Sequence, residues 1–255
     1  MARIFITGSA DGLGQLAAKT LVERGHQVVL HARSEQRAKE ALAKLPGAEA
    51  ALVADLSGIE QTKALAQKAN ATGPFDAVIH NAGLYQVSGQ TTDGLPLVFA
   101  VNTIAPYLLT ALMLRPQRLI YLSSGMHLQG DPTLVNLPTA IPAGNGRISY
   151  SDTKLHDLIL SMAVARKWPE VYSNAIDPGW VPTKMGGAGA PDDLTKGFET
   201  QVWLAEAREK EACVSGKYFH HKKQVQYLSD AGSPDVQEKL LSICERVTGV
   251  TLPGN

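Results

Sequence analysis

The sequence predicts an α/β protein built on a doubly wound parallel sheet of about seven strands, with helices on both faces. Three observations carry that expectation. Apolar runs of strand length alternate with longer stretches of helical periodicity, which implies parallel strands joined by right-handed crossovers. The first run ends in a glycine-rich turn that opens a helix. A chain of 255 residues is long enough to bury a large core without metals or disulfides, and reads as one domain over 1–255.

The strand candidates are Arg3–Ile6, Gln27–Leu30, Ala50–Val53, Ala77–Ile79, Arg118–Leu122, Ser173–Ile176 and Lys217–Phe219, several of them rich in Val and Ile. The first helix follows Gly14, with Leu16, Ala17, Thr20 and Leu21 on one face. Residues 36–45, 60–70, 95–114, 150–167, 196–208 and 234–248 read as helices too, with a kink expected at Pro106, which lacks an N–H. Two segments break the rhythm. Residues 125–149 carry Pro132, Pro138 and Pro142 with four glycines, and residues 184–192 (KMGGAGAPD) are small and glycine-rich. Loops of this kind in a compact domain are usually functional or disordered.

Charge is balanced, with 24 basic and 24 acidic residues, so nothing electrostatic points to nucleic acid or an anionic membrane surface. No apolar stretch approaches the roughly 18 residues of a membrane span. Cys213 and Cys244 form no metal-ligand spacing, and free thiols in a reducing cytoplasm are the expectation. His220-His221-Lys222-Lys223 reads as a solvated turn after the last strand rather than a metal or phosphate site.

Three short motifs carry chemistry. In Thr7-Gly8-Ser9-Ala10-Asp11-Gly12-Leu13-Gly14, glycines permit a tight turn and let backbone N–H groups approach a pyrophosphate at the positive end of a helix. Tyr150 and Lys154 stand four residues apart, on one helix face; the ammonium would favour the phenolate of a side chain whose ordinary pKa is about 10. Ser123-Ser124 ends a strand, where a hydroxyl could hold a substrate oxygen. The Tyr/Lys spacing and the serine pair are each weak alone; three glycines between a strand and a helix argue against a ligand-free turn, but their spacing differs from G-x-G-x-x-G and does not settle the matter alone.

Together they resemble the short-chain dehydrogenase/reductase family over nearly the whole chain. The resemblance adds Asp55 in VADLS, Asn81-Ala82-Gly83, Asn102, and Asp177-Pro178-Gly179 followed by Thr183, all in the family's order. The SSGMH start of the 125–149 segment is most similar to the retinol-dehydrogenase-like branch. The resemblance implies a Rossmann-type sheet and interconversion of an alcohol with an aldehyde or ketone by hydride transfer.

It also implies roles for particular residues. Tyr150 would be the general acid/base, Ser124 would hold the substrate oxygen, and Lys154 would bind the nicotinamide ribose and bias Tyr150. Asn102 would hold a water that refills the proton. Gly8, Ser9, Gly12, Leu13 and Gly14 would shape the pyrophosphate site, Asp55 with Leu56 the adenine site, and Asn81, Ala82 and Gly83 the central strand end. Pro178, Gly179, Val181 and Thr183 would meet the nicotinamide end. Family members often form dimers or tetramers through helices corresponding to 95–114 and 150–167, but monomers occur too, so the resemblance leaves a homo-oligomer open. A non-catalytic dinucleotide sensor and an epimerase or dehydratase with the same Tyr/Lys pair are the alternatives.

NADP is expected over NAD. The acid that meets a ribose 2′-hydroxyl at the end of the second strand is missing from His31-Ala32-Arg33-Ser34, and Arg33, aided by Ser9 or Ser34, suits a 2′-phosphate. Residues 184–192 are expected to form a substrate lid. With Met126, Leu128, Leu134, Leu137, Trp180 and Met185 it would wall an apolar pocket. His127 could touch substrate or be a satisfied loop histidine.

Overall fold

The structure, a computed structural model, describes residues 1–137 and 147–254. Pro138 and Pro142, with Gly144 and Gly146, lie outside the described residues. The elements run β1 (Arg3–Ile6), α1 (Gly12–Glu23), β2 (Gln27–Ala32), α2 (Glu35–Lys44), β3 (Ala50–Val53), α3 (Ile59–Ala71) and β4 (Ala77–His80). One helical turn, α4 (Leu97–Phe99), leads through a π-helical stretch (Ala100–Ile104) into α5 (Ala105–Leu112). There follow β5 (Arg118–Leu122), a 3₁₀ turn (Gly125–Gln129), α6 (Tyr150–Lys167), β6 (Tyr172–Asp177), α7 (Leu194–Glu206), β7 (Lys217–His220), β8 (Lys223–Gln224) and α8 (Pro234–Thr248).

All strands join one sheet in the order β3-β2-β1-β4-β5-β6-β7-β8, parallel except for the antiparallel β7–β8 pair. The seven apolar runs are all strands. β8 is an addition, formed across a two-residue turn in which His221 and Lys222 both take positive φ (48° and 63°), the geometry favoured by tight hairpins. This is the solvated turn expected at 220–223.

Strands β1, β2, β4 and β5 are covered on both faces, which is why they read as unbroken apolar runs rather than alternating ones. Successive side chains nevertheless serve different layers. Phe5, Val29, Val78 and Leu119 join one core with α3, α5, α6 and α8; Ile4, Ile6, Val28, Leu30, Ile79 and Ile120 join the other with α1 and α7.

The expected single helix over 95–114 is interrupted. Instead of a sharp kink at Pro106, the helix widens to π geometry over Ala100–Ile104 just before the proline, which sits in the first turn of α5. In an unbroken α-helix the proline would lack the N–H for the Asn102 carbonyl and its ring would crowd that carbonyl; the wider turn accommodates both. Much of both long helical regions, 95–114 and 150–167, is buried within the chain itself. Residues 98–111 and 153–164 are buried, α5 packing on α3 and α6 on α8. No helix among the described residues is long and apolar enough to cross a membrane.

Candidate active site

The chain leaves β1 for β2 and β3 on one side and returns to β4 on the other, so the loops after β1 and β4 part. Crevices at such switch points, beyond the carboxyl ends of the strands, are where open α/β sheets bind ligands. A cavity of about 700 Å³ opens there.

Its floor is the turn between β1 and α1. Gly8 adopts φ +63°, and a Cβ on it would sit 2.8 Å from the Ala82 Cα, so glycine is required twice over. The turn is held from three sides. Asn81 donates through Nδ2 to the carbonyls of Thr7 and Gly8, and the Thr7 hydroxyl accepts from the N–H groups of Asn81 and Ala82. From β2, His31 accepts the Gly8 N–H on Nδ1 at 3.0 Å and donates from Nε2 to the Ala54 carbonyl at 3.1 Å. Burial depresses the imidazole to a pKa of about 4, so it stays neutral and keeps its acceptor. Asp11 precedes α1 without capping it with its side chain. Its carboxylate instead pairs with Arg37 of α2 at 2.6 Å and with Lys184 at 3.3 Å.

Of the residues expected at a cofactor, Gly8, Gly12, Leu13, Arg33, Asp55, Leu56, Asn81, Ala82, Gly83, Tyr150, Lys154, Pro178 and Thr183 line this cavity. Gly14 stands behind it, where a Cβ would meet Asn81 Nδ2 at 2.4 Å. Ser9, Ser34, Gly179 and Val181 are not in the lining. The Ser9 hydroxyl donates to the Ile6 carbonyl and accepts from His31 N, and Ser34 caps α2 by accepting from Arg37 N. Both hydroxyls are therefore engaged away from Arg33. Val181 is buried, and Gly179 (φ +81°) donates to Asp177.

Tyr150 is the first residue of α6, whose start is fixed by a reciprocal capping box between Ser149 and Asp152. Its ring meets Tyr85 edge-on at 4.8 Å, and Lys154 Nζ lies 5.5 Å from its centroid. Burial raises the Tyr150 pKa, Lys154 pulls it down, and Asp157, Asp177 and Tyr85 push it up again, for a net rise. Ser123 lines the cavity and donates to the Lys154 carbonyl at 2.7 Å. Ser124 is half-buried beside it, accepting from Met126 N. Asn102 lies in the π-helical stretch. Its side chain bridges the Leu84 backbone, accepting from the N–H at 2.8 Å and donating to the carbonyl at 3.0 Å, and also donates to Thr153.

The apolar wall differs from expectation. Leu84, Val87, Leu97, Val101 and Met185 supply it, whereas Leu134 and Leu137 turn inward to the core and Leu128 is exposed. Trp180 is exposed and donates to the Gly186 carbonyl, and Asp192 accepts from Trp180 N, so this tryptophan pins the 184–192 segment instead of lining the cavity. His127 is buried and satisfied, donating to the Ser124 carbonyl and accepting from Leu228 N. Sequence reasoning gave no role to His31, Asp11, Arg37 or Lys184; of the pair Ser123-Ser124, which it did single out, Ser123 is the one that lines the cavity. Arg37, in the first turn of α2 and four residues beyond Arg33, was the readable signal among them.

Comparison with known proteins agrees with this geometry. The model of the short chain dehydrogenase family matches residues 2–193. The uncharacterized oxidoreductase AN7799 of Emericella nidulans is 46% identical, with 100% of both chains covered. Human retinol dehydrogenase 14 is 29% identical over 97% of this chain and 86% of its own. A solved structure from Mycobacterium paratuberculosis superposes with a TM-score of 0.83 at 22% identity, covering 99% of this chain and 95% of that one. The chain belongs to the short-chain dehydrogenase family and is an oxidoreductase of that family, with a retinol-dehydrogenase-like relative.

Proposed function

We propose that the protein interconverts an alcohol with an aldehyde or ketone using NADP(H), with Tyr150 as the general acid/base. The observation that carries this reading is that Tyr150, Lys154 and Ser123 share one cavity with the glycine-rich turn and Arg33. The residues present suit a nicotinamide dinucleotide. The α1 N-terminus opens on the cavity uncapped by a side chain, which leaves backbone N–H groups for a pyrophosphate, and Gly12 leaves open space above it. Arg33 and Arg37 lie at the β2 end, where no carboxylate on β2 would repel a 2′-phosphate.

The dinucleotide supplies or accepts the hydride, and proton transfer and placement fall to the chain. In reduction, the Tyr150 hydroxyl gives its proton to the carbonyl oxygen; in oxidation, the phenolate takes it from the alcohol. Lys154 favours the phenolate by its charge and donates toward ribose hydroxyls. The hydroxyls at 123–124 orient the substrate oxygen, with Ser124 the family's choice and Ser123 engaged with the Lys154 carbonyl. Substrate at this end meets Leu84, Val87, Leu97, Val101 and Met185, which favours an apolar carbonyl compound.

Tyr150→Phe tests the mechanism. General acid–base catalysis contributes about 10²–10⁴-fold, so turnover of NADPH with a panel of aldehydes and ketones should fall at least that far while NADPH binding persists. Near wild-type turnover would overturn the assignment.

A further inference from the structure

One feature of α6 is not required by a tyrosine–lysine pair. Asp157, one turn beyond Lys154, is almost wholly enclosed, as is the lysine, and their charged atoms lie 2.8 Å apart. Lys154 Nζ also donates to the Leu122 carbonyl at 2.6 Å. An ammonium has three donors. Two are therefore committed to fixed acceptors, one at the end of β5 and one on α6, and one remains for the cavity that Lys154 lines.

We propose that Asp157 is a positioning residue for the oxidoreductase reaction: its buried ion pair fixes the Lys154 ammonium and offsets the lysine's charge at the Tyr150 hydroxyl. The inference rests on the assignment of Tyr150 as the acid/base.

A buried ammonium tends to lose its proton, and a buried carboxylate to gain one, unless each has a partner. Burial draws the Lys154 pKa down, but Asp157 and Tyr150 outweigh it, and the net direction is upward. Burial lifts the Asp157 carboxyl to about 6 against the pull of Lys154. At neutral pH both members are charged. An ammonium held only by the Leu122 carbonyl and the open cavity, with no carboxylate beside it, would draw Tyr150 strongly toward the phenolate; paired with Asp157 it does so less, and the hydroxyl keeps its proton for a carbonyl.

Other groups facing this cluster do not replace Asp157. Tyr150 is faced by Asp177 from the end of β6, by Tyr85 from the segment after β4, and by Tyr218 from β7. Asp177 lies beside His220, 3.6 Å away, and accepts from Gly179 N. On the β5 side Asp157 faces Tyr121, whose phenol is bonded to Thr110 and raised by burial. His80, stacked on Tyr121, is held neutral by its own burial. None of these supplies a second negative charge in contact with Lys154.

The test is the pH dependence of kcat/KM for carbonyl reduction with saturating NADPH. The rate falls as Tyr150 loses its proton, so the alkaline limb reports that ionisation. Asp157→Asn keeps the shape and removes the charge; the limb should move to lower pH by about one unit, the scale of a nearby-charge effect. Asp157→Glu retains the charge and should leave the limb where the wild type has it, even if turnover drops. An unmoved limb in Asp157→Asn, or one moved to higher pH, overturns the proposal.

Asp157→Ser, small enough to admit water beside Lys154, repeats the measurement if the asparagine variant does not fold. Failure of both to fold also overturns the proposal, because the pair is then a condition of folding rather than of catalysis. Tyr150→Phe separates the two levels. If that variant keeps turnover, the acid/base assignment fails. If it is inactive and Asp157→Asn leaves the limb unmoved, only the role of Asp157 fails.

Discussion

Mild acid should weaken the fold and the cofactor site together, because three histidines are buried neutral. Desolvation lowers His31 to about 4, His156 to about 4 and His80 to about 3. Each is depressed below its unfolded value near 6.5. The stability from keeping it neutral is therefore fully present above about pH 6.5 and is lost as pH falls through the folded values. For a group going from 6.5 to about 4, linkage gives a loss of about 2 kcal/mol between neutrality and about pH 5, rising toward about 3 kcal/mol below pH 4. Three such groups sum to about 6 kcal/mol at about pH 5, comparable with the whole stability of a typical domain, about 5–15 kcal/mol.

His31 adds a functional consequence, since a protonated ring can no longer accept the Gly8 N–H. Urea unfolding at about pH 7 and about pH 5 measures the loss. NADPH titration at the same two values measures the turn, and His31→Asn should flatten the pH dependence by the share of one proton. Unfolding free energies equal at both values, or a His31 ring titrating near 6.5 by NMR, would refute the reasoning.

Two further outcomes follow from the cavity. Gly8→Ala must tolerate both φ +63° and a Cβ 2.8 Å from the Ala82 Cα. The left-handed conformation alone costs about 1–2 kcal/mol, so thermal melting should drop and NADPH binding should be lost before the fold is. Arg33→Ala should weaken NADPH by about 10- to 150-fold, the worth of a charge-assisted bond of about 1.5–3 kcal/mol, and leave NADH little changed. Equal wild-type affinity for the two cofactors in titration calorimetry would count against the NADP reading.

The strands were legible because central parallel strands are buried on both faces and so write themselves as short runs of Val, Ile and Leu. β8 was not, since Lys223 and Gln224 are two exposed polar residues whose only reason to be a strand is their neighbour β7. Glycine at 8 and the Tyr150–Lys154 spacing were legible because backbone strain and helical period are local. What failed was long-range. Leu134 and Leu137 looked like pocket walls, yet Ile148 and the core beneath offered them more burial than the cavity did. Nothing near His31 in sequence announces that its ring will meet Gly8, 23 residues earlier.

The Asn102 side chain is spent within the protein, on the Leu84 backbone and the Thr153 hydroxyl. The neighbouring Pro106 predicts a kink, since it has no N–H to donate. Its position, four residues on, has another meaning: in an α-helix the Asn102 carbonyl would accept from the N–H of residue 106, and proline has none. The helix widens at this point rather than breaking. The spacing Asn-x-x-x-Pro thus withholds the α-helical donor from one main-chain carbonyl at a residue whose Oδ1 lies 3.6 Å from where a Cβ on Gly83 would stand, with Lys154 Nζ 3.7 Å from the same point. Proline at 106 and the widened turn before it thus set the backbone that carries the Asn102 side chain toward Leu84 and Thr153.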